Sequence, residues 1–373
     1  MTTNKRNGVD LVLYTSVLLL MTIGVVEVYS SSVFIADYKF AGEHTHYFQR
    51  QLLFAGMAIV SMLVFAAIDY RKLKKLVWVA AGVTGALLVV VLFSDPINGA
   101  RRWIPLGPIN IQPSELFKYA VVLMIAFYLS ETKRGRRAGW KQFVMPSIIA
   151  GGSILVMLEP DLGTVIVIST VVVCLLFVAG EALKKVALGA GACALAGSVA
   201  VFIFGYKRSR IDEFLASFGD PLQGAYQVKQ SILYIGSGGL FGKGIGRGSV
   251  KLFFLPEVHT DFIFANFAEE GGFIWVTIVL VLFFILFWRG MRTASAAQDR
   301  FGFFLAFGIT IILTTSALIN IAVTVNLIPT TGMPLPFVSY GGTSLLISAS
   351  AVGILLNISR RRKRKVPLFD KRV

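Results

Sequence analysis

Residues 261–288 read DFIFANFAEEGGFIWVTIVLVLFFILFW. From Phe262 the run is apolar and exceeds the ~20 residues a helix needs to cross ~30 Å of hydrocarbon. Yet Asp261 opens it, and Glu269 and Glu270 interrupt it. Acids are expensive in lipid, so each must be paired or put to use. The stretch therefore predicts a membrane helix and asks what its acids do.

The rest of the chain agrees with a membrane protein. Of 373 residues, 55% are hydrophobic and 15% charged, with a mean hydropathy of +0.74. That is the composition of a polytopic membrane protein and excludes an ordinary soluble domain. Cys174 and Cys193 lie inside apolar runs and read as small buried residues, with no disulfide framework. Lys5 and Arg6 precede an apolar run of full spanning length with no clear cleavage site, so the first segment reads as a retained helix.

Ten candidate spans follow: 10–31, 51–68, 76–94, 115–130, 143–158, 162–180, 186–206, 262–288, 302–325 and 341–358. Glu159-Pro160-Asp161 separates the fifth from the sixth, because proline removes a backbone donor and two acids flank it. With the N-terminus inside, the inner segments hold 24 of the 36 Lys and Arg. Seven of the other twelve fall in 207–261, a loop too long for the charge rule to govern. The expected fold is thus an all-α bundle of ten transmembrane helices in a single domain over 1–373. Both termini are cytoplasmic, and one large extracytoplasmic loop covers 207–261. The tail 359–373, with RRRKRK at 360–365, reads as an anchor at an anionic leaflet rather than a nucleic-acid site.

Most ionisable residues at the spans fall near their outer ends: Glu115, Lys118, Glu159, Asp161, Asp261, Glu269 and Glu270, with Glu27 the exception. That pattern predicts a polar cavity open to the outer face. NGARRWIPLGPINIQPSELFK (98–118) adds Arg101, Arg102, Trp103, Gln112 and Ser114. Pro113 suits a helix start, and Glu115 and Lys118 then share a face. Paired cations on the outer side favour an anionic ligand; the alternative is an interfacial belt of Arg and Trp. EPDLGT (159–164) reads equally as a capped helix start at Asp161. GSGGLFGKGIGRGS (236–249) fails both the Walker and the GxGxxG patterns and reads as flexible backbone, although Lys243, Arg247 and Lys251 could meet phosphate. His44 and His46 lack further ligands for a metal site, and Asn320 and Asn326 read as helix glue.

Seven motifs in order carry a resemblance: NGARRW (98–103), QPSE with Lys118 (112–118), PDLGT (160–164), YQVKQS (226–231), GSGGLFGKGIG (236–246), LPEVHTDFIFA (255–265) and PLPFVSYGG (334–342). Together they resemble the SEDS family of FtsW, RodA and SpoVE, more the FtsW and SpoVE branch. SYGGTS (339–344) departs mildly, with Thr343 where the family usually has a second serine. The resemblance implies a peptidoglycan glycosyltransferase that polymerises lipid II at the outer face of the bacterial cytoplasmic membrane. It further implies a class B penicillin-binding protein as partner, within a division or sporulation assembly. The family's essential aspartate maps onto Asp261.

On that footing Asp261 is expected to be the general base for the acceptor 4-hydroxyl, giving inversion at the donor anomeric carbon. Arg101, Arg102 and Lys118, with Lys243 or Arg247 in reserve, are expected to meet the pyrophosphate. Trp103, Gln112, Ser114, Glu115, Asp161, Glu269 and Ser339 complete the expected substrate site. A Mg2+ or Mn2+ ion held by Asp161, Glu115 or the pyrophosphate is a further expectation. On an ideal helix at 100° per residue, Glu269 lies about 80° from Asp261 and Glu270 about 180°. Glu269 is therefore expected to support the cavity and Glu270 to pair with another helix. Two other readings stay open: a lipid II flippase, which would show deeper acids and broken helices, and a non-catalytic scaffold.

Overall fold

The computed structural model describes residues 8–40, 43–96, 100–107, 109–131, 141–181, 208–217, 225–248 and 258–361, with four single positions between 184 and 191. Eleven α-helices, one 3-10 helix and a short hairpin are described. They are α1 (Leu11–Lys39), α2 (His46–Ala67), a 3-10 helix (Tyr70–Leu76) running into α3 (Val77–Val91), and β1 (Ile104–Leu106) with β2 (Ile109–Ile111). Then follow α4 (Pro113–Glu131), α5 (Lys141–Leu158), α6 (Leu162–Val178), α7 (Arg208–Ala216), α8 (Tyr226–Gly238), α9 (Ile263–Ser295), α10 (Arg300–Thr324) and α11 (Gly342–Arg360).

Nine of these helices coincide with nine of the ten expected spans. Seven, counting Tyr70–Val91 as one, are long and apolar enough to cross a membrane; Val144–Leu158 and Leu162–Val178 are apolar but shorter. The tenth candidate, 186–206, lies outside the described residues apart from single positions, as does most of the basic tail. The molecule is thus a multi-pass helical membrane protein.

The local starts follow from their caps. The Asp10, Asp161 and Asp299 side chains accept from Leu13 N, Thr164 N and Gly302 N at the heads of α1, α6 and α10. Pro113 opens α4, where its missing N–H costs nothing. Without a hydrophobic drive between helices, packing and polar links hold the bundle. α10 is the central rod, packed on α9, α4 and α6, while α2 lies along α11 and α1 along α9. One contiguous apolar core runs from Leu13 to Ile358. Beyond Gly272, α9 instead exposes Phe273, Ile278, Phe284 and Trp288, as a lipid-facing surface should.

Polar links sort the connections into two ends. At one end Arg289 meets Asp10 at 2.6 Å, Asp10 N donates to Ser359 Oγ at 3.2 Å, Tyr70 donates to Asp299 at 2.7 Å, and Arg361 meets Asp69 at 2.7 Å. These are the segments the charge bias places inside. At the other end Arg210 reaches Thr330 O at 2.9 Å, Thr343 reaches Asn110 O, and Tyr340 N reaches His259 O at 2.9 Å. The β1–β2 hairpin sits there on the head of α11.

The expected 207–261 loop is not one open excursion. It contains α7 and α8, and α8 packs against α9 and α10 with Val228 and Ser231 buried. Nor is 236–249 merely flexible backbone, in the part described. α9 breaks at Gly272, whose φ is +67°, and residues 238–246 fill the break. Phe273 N donates to Gly239 O at 2.9 Å and Ile274 N to Leu240 O at 3.3 Å. Lys243 N and Gly244 N donate to Glu269 O and Glu270 O at 3.0 and 2.9 Å. A helix break inside the bundle must have its freed backbone groups satisfied, and this segment supplies four of those bonds. A side chain at Gly272 would collide with Gly242 N, so glycine is required for both its φ and its packing.

Candidate active site

Asp261 lies in a turn, residues 258–262, before α9 begins at Ile263. Its helix-angle relation to Glu269 and Glu270 therefore does not apply: the ideal-helix expectation fails because Asp261 and Phe262 are not helical. Three successive carbonyls of the turn are held from elsewhere. His259 O accepts from Tyr340 N at 2.9 Å, Thr260 O from Ser339 Oγ at 2.6 Å, and Asp261 O from Asn320 Nδ2 at 2.8 Å. The same Asn320 amide donates to Met333 O at 2.7 Å, and Ser339 Oγ accepts from Leu335 N at 2.8 Å. The 326–340 segment and α10 thus clamp the backbone that carries Asp261. Below them, Phe337 is a buried non-glycine residue at φ +67°, an uncommon conformation held by its surroundings. Gly24 of α1 packs directly on it; a methyl there would sit 2.6 Å from Phe337 O.

The Asp261 side chain is half-buried. A methyl placed on Gly332 would lie 3.4 Å from Asp261 Oδ2 and 3.7 Å from Arg102 Nη1. Carboxylate and guanidinium therefore face the same short piece of backbone. Arg102 is itself fixed: Nε donates to Glu159 O at 3.0 Å and Nη2 to Pro160 O. Those bonds hold a cation beside Asp261 and leave Nη1 directed at Gly332.

Next to Arg102 is a closed polar cluster. Asp161 Oδ2 accepts from Thr164 Oγ1 at 2.8 Å, Ser114 Oγ at 3.2 Å and Gln112 Nε2 at 3.3 Å, while Oδ1 accepts from Thr164 N at 3.1 Å. Asp161 is thus an N-cap that joins the head of α6 to the head of α4. Glu159 is fully buried, and neither of its carboxyl oxygens has a hydrogen-bond partner. Burial pushes its pKa up to about 9, and the Asp161 charge adds to the rise; Arg102 and Ser114 pull it down by less. Arg102 spends its bonds on the Glu159 and Pro160 carbonyls, and Ser114 donates to Asp161, so their pull on the Glu159 carboxyl is the weaker one.

The other expected site residues are distributed differently. Glu115 and Lys118 form a buried ion pair at 2.6 Å on α4, as their spacing allows. Arg101 is exposed and donates to Leu92 O at 3.0 Å; Trp103 is half-buried. Lys243 is paired with Glu269 at 2.6 Å at the α9 break, which is where the structure places both. Glu270 takes the pairing expected of it: Ser30 of α1 donates to it at 2.7 Å and Gly246 N at 3.0 Å. Glu27, the deep acid, accepts from Asn266 at 2.8 Å.

Among the described residues no group of three His, Cys, Asp or Glu is placed to hold a metal. His44 and His46 face Asp37 and Glu43 instead. Asp161 is saturated by donors and Glu115 is consumed by Lys118, so these residues do not fit a protein-built divalent site. Sequence reading missed Asn320, which it took for helix glue, and Gly332, which carried no signal; an amide within an apolar helix was the available cue.

Residues 10–364 match the family of FtsW, RodA and SpoVE, described as cell cycle proteins. Stage V sporulation protein E of Bacillus subtilis is 40% identical over 363 residues, 96% of this chain and 99% of that protein. A probable peptidoglycan glycosyltransferase FtsW of Trichlorobacter lovleyi is 42% identical over 359 residues, 94% of this chain and 93% of that protein. The rod shape determining protein RodA of Thermus thermophilus superposes with a TM-score of 0.70 at 27% identity, covering 95% of this chain and 98% of that one. A chain from a peptidoglycan synthase complex, in a structure described as coordinating polymerization and crosslinking, superposes with a TM-score of 0.76 at 28% identity, over 95% and 98% of the two chains.

Proposed function

The chain belongs to the FtsW, RodA and SpoVE family and is a peptidoglycan glycosyltransferase; from that premise we propose that it polymerises lipid II at the outer face of the cytoplasmic membrane, with Asp261 as general base. The observation that carries this reading is the clamped turn: a half-buried carboxylate on a fixed backbone, with the Arg102 cation held across Gly332. Asp261 takes the proton of the acceptor 4-hydroxyl as that oxygen attacks the donor anomeric carbon. The bond to the undecaprenyl pyrophosphate breaks from the opposite face, so a single displacement inverts the configuration. Negative charge grows on the departing pyrophosphate, where a fixed cation is worth more than a mobile one. Arg102 suits that task best, because Lys118 and Lys243 are spent on Glu115 and Glu269.

Ten spans with both termini cytoplasmic fit this reading. The charge-rich connections share one end of the bundle, and the Asp261 turn sits at the other. The full-length likeness to a chain of a polymerising and crosslinking complex supports a class B penicillin-binding protein as partner, inside a division or sporulation assembly. Any Mg2+ or Mn2+ would arrive with the pyrophosphate rather than sit in a cage of Asp161 and Glu115. Chelation should then stop polymerisation and either ion restore it; full activity in chelator removes the metal.

A lipid transporter would also show a broken helix, and α9 is broken. Here the break is spliced shut by 238–246 and both its acids are engaged, which favours the enzyme. The deciding assay is lipid II polymerisation by the purified chain with its partner, wild type against Asp261→Asn. Loss of a general base costs about 10²–10⁴-fold; equal polymer from both proteins would remove Asp261 from the role.

A further inference from the structure

A catalytic carboxylate must be held near its productive geometry, and a non-helical turn does not hold itself. The local chain gives Asp261 little support, since α9 begins only at Ile263. We propose that Asn320 is a positioning residue for the reaction, setting both the Asp261 backbone and the Gly332 wall that its carboxylate faces. This inference rests on the reading of Asp261 as base.

Asn320 is buried on α10, and its Nδ2 donates to carbonyls of two different segments, Asp261 O at 2.8 Å and Met333 O at 2.7 Å. Two acceptors at one end fix the amide orientation, because only the NH2 group can serve both. Its Oδ1 is buried without a partner, so the polar function of this side chain lies in the two donated bonds. Met333 follows Gly332, the residue that faces both Asp261 Oδ2 and Arg102 Nη1. One amide therefore ties together the base, the backbone opposite it and, through that backbone, the fixed cation. Ser339 works alongside it on the preceding carbonyl, Thr260 O. An amide serving only as helix glue would bond a neighbouring helix; this one bonds two connecting segments at the outer end.

The test compares lipid II polymerisation by the full chain with its partner for wild type, Asn320→Leu, Asp261→Asn and Thr324→Val. Leucine keeps the branched outline, is somewhat larger, and removes both donors. Thr324→Val is the packing control: one turn further along α10, it loses a buried hydroxyl that donates to Asn320 O at 2.8 Å. Asn320→Leu should lower kcat about 10- to 100-fold, the scale of a misplacement near 1 Å. KM for lipid II should stay within about twofold, and Thr324→Val should retain wild-type turnover. Wild-type turnover in Asn320→Leu, or a rise in KM alone, overturns the inference and leaves Asp261 as base. Equal losses in Asn320→Leu and Thr324→Val assign Asn320 to packing and overturn it too. Wild-type turnover in Asp261→Asn overturns the base reading itself, whatever Asn320 does. If Asn320→Leu does not fold, Asn320→Ser, smaller and with one donor kept, carries the same test with the same signs.

Discussion

Asp261 and Glu270 stand nine positions apart, yet the chain treats the acids at the two ends of that stretch in opposite ways. At the Gly272 break, Glu269 is neutralised by Lys243, and Glu270 is bonded by Ser30 and Gly246 N. Their charge is consumed in closing a gap between α1, α8 and α9. At the turn, the bonds go to the carbonyls of His259, Thr260 and Asp261, and the carboxylate stays half-exposed. Holding a residue by its backbone fixes its position without fully burying its side chain. Acidity inside a membrane protein is therefore a poor guide to chemistry until it is known which atoms the neighbours have taken.

That contrast can be broken by experiment. Asp261→Asn should lose turnover by about 10²–10⁴-fold and unfold at nearly the wild-type temperature. Lys243→Met should do the reverse. It takes the cation from the fully buried Glu269, a loss that costs about 3–5 kcal/mol when both partners are buried; Lys243 is 36% exposed, which brings the expected cost nearer 1–3 kcal/mol. Adding Glu269→Gln to Lys243→Met should recover most of that stability, because the unpaired charge is gone. Thermal unfolding in detergent, read beside polymerisation, separates the two acids. A Lys243→Met protein of full stability but no activity would make the break part of the chemistry.

Much of this was legible in the sequence because it rests on local chemistry. Pro113, the Glu115–Lys118 spacing and the Glu159-Pro160-Asp161 break each mark their own helix ends, and the structure realises all three. The splice at Gly272 was not legible. Its bonds run between backbone groups about thirty residues apart, and no side-chain pattern encodes them. The paired glycines 271–272 inside an apolar run were a cue to a break, though they carry no address for what fills it. α8 was likewise hidden in a presumed loop, since Val228 and Ser231 are buried only by partners distant in sequence. Asn320 illustrates the same limit: its type was readable, its two acceptors were not.

Glu159 is a third case, an acid that is buried rather than bonded. Its carboxyl is buried without a partner, and its pKa is raised from the ordinary 4.5 to about 9, first by burial and then by Asp161. The sign of the consequence is fixed by linkage. Between those values the unfolded chain releases a proton that the folded chain keeps, so stability is fully present below about pH 4.5. It is lost progressively as pH rises toward 9, and beyond that the loss stops growing. Glu159→Gln replaces the neutral acid by a neutral isostere that never titrates. Unfolding temperatures of the two proteins should therefore agree near pH 4.5 and separate by pH 8–9, with the variant the more stable by a few degrees. Parallel curves would mean that Glu159 is ionised in the folded protein, and Arg102 would then have to be turning its charge from the Glu159 carbonyl to the carboxylate, away from Asp261.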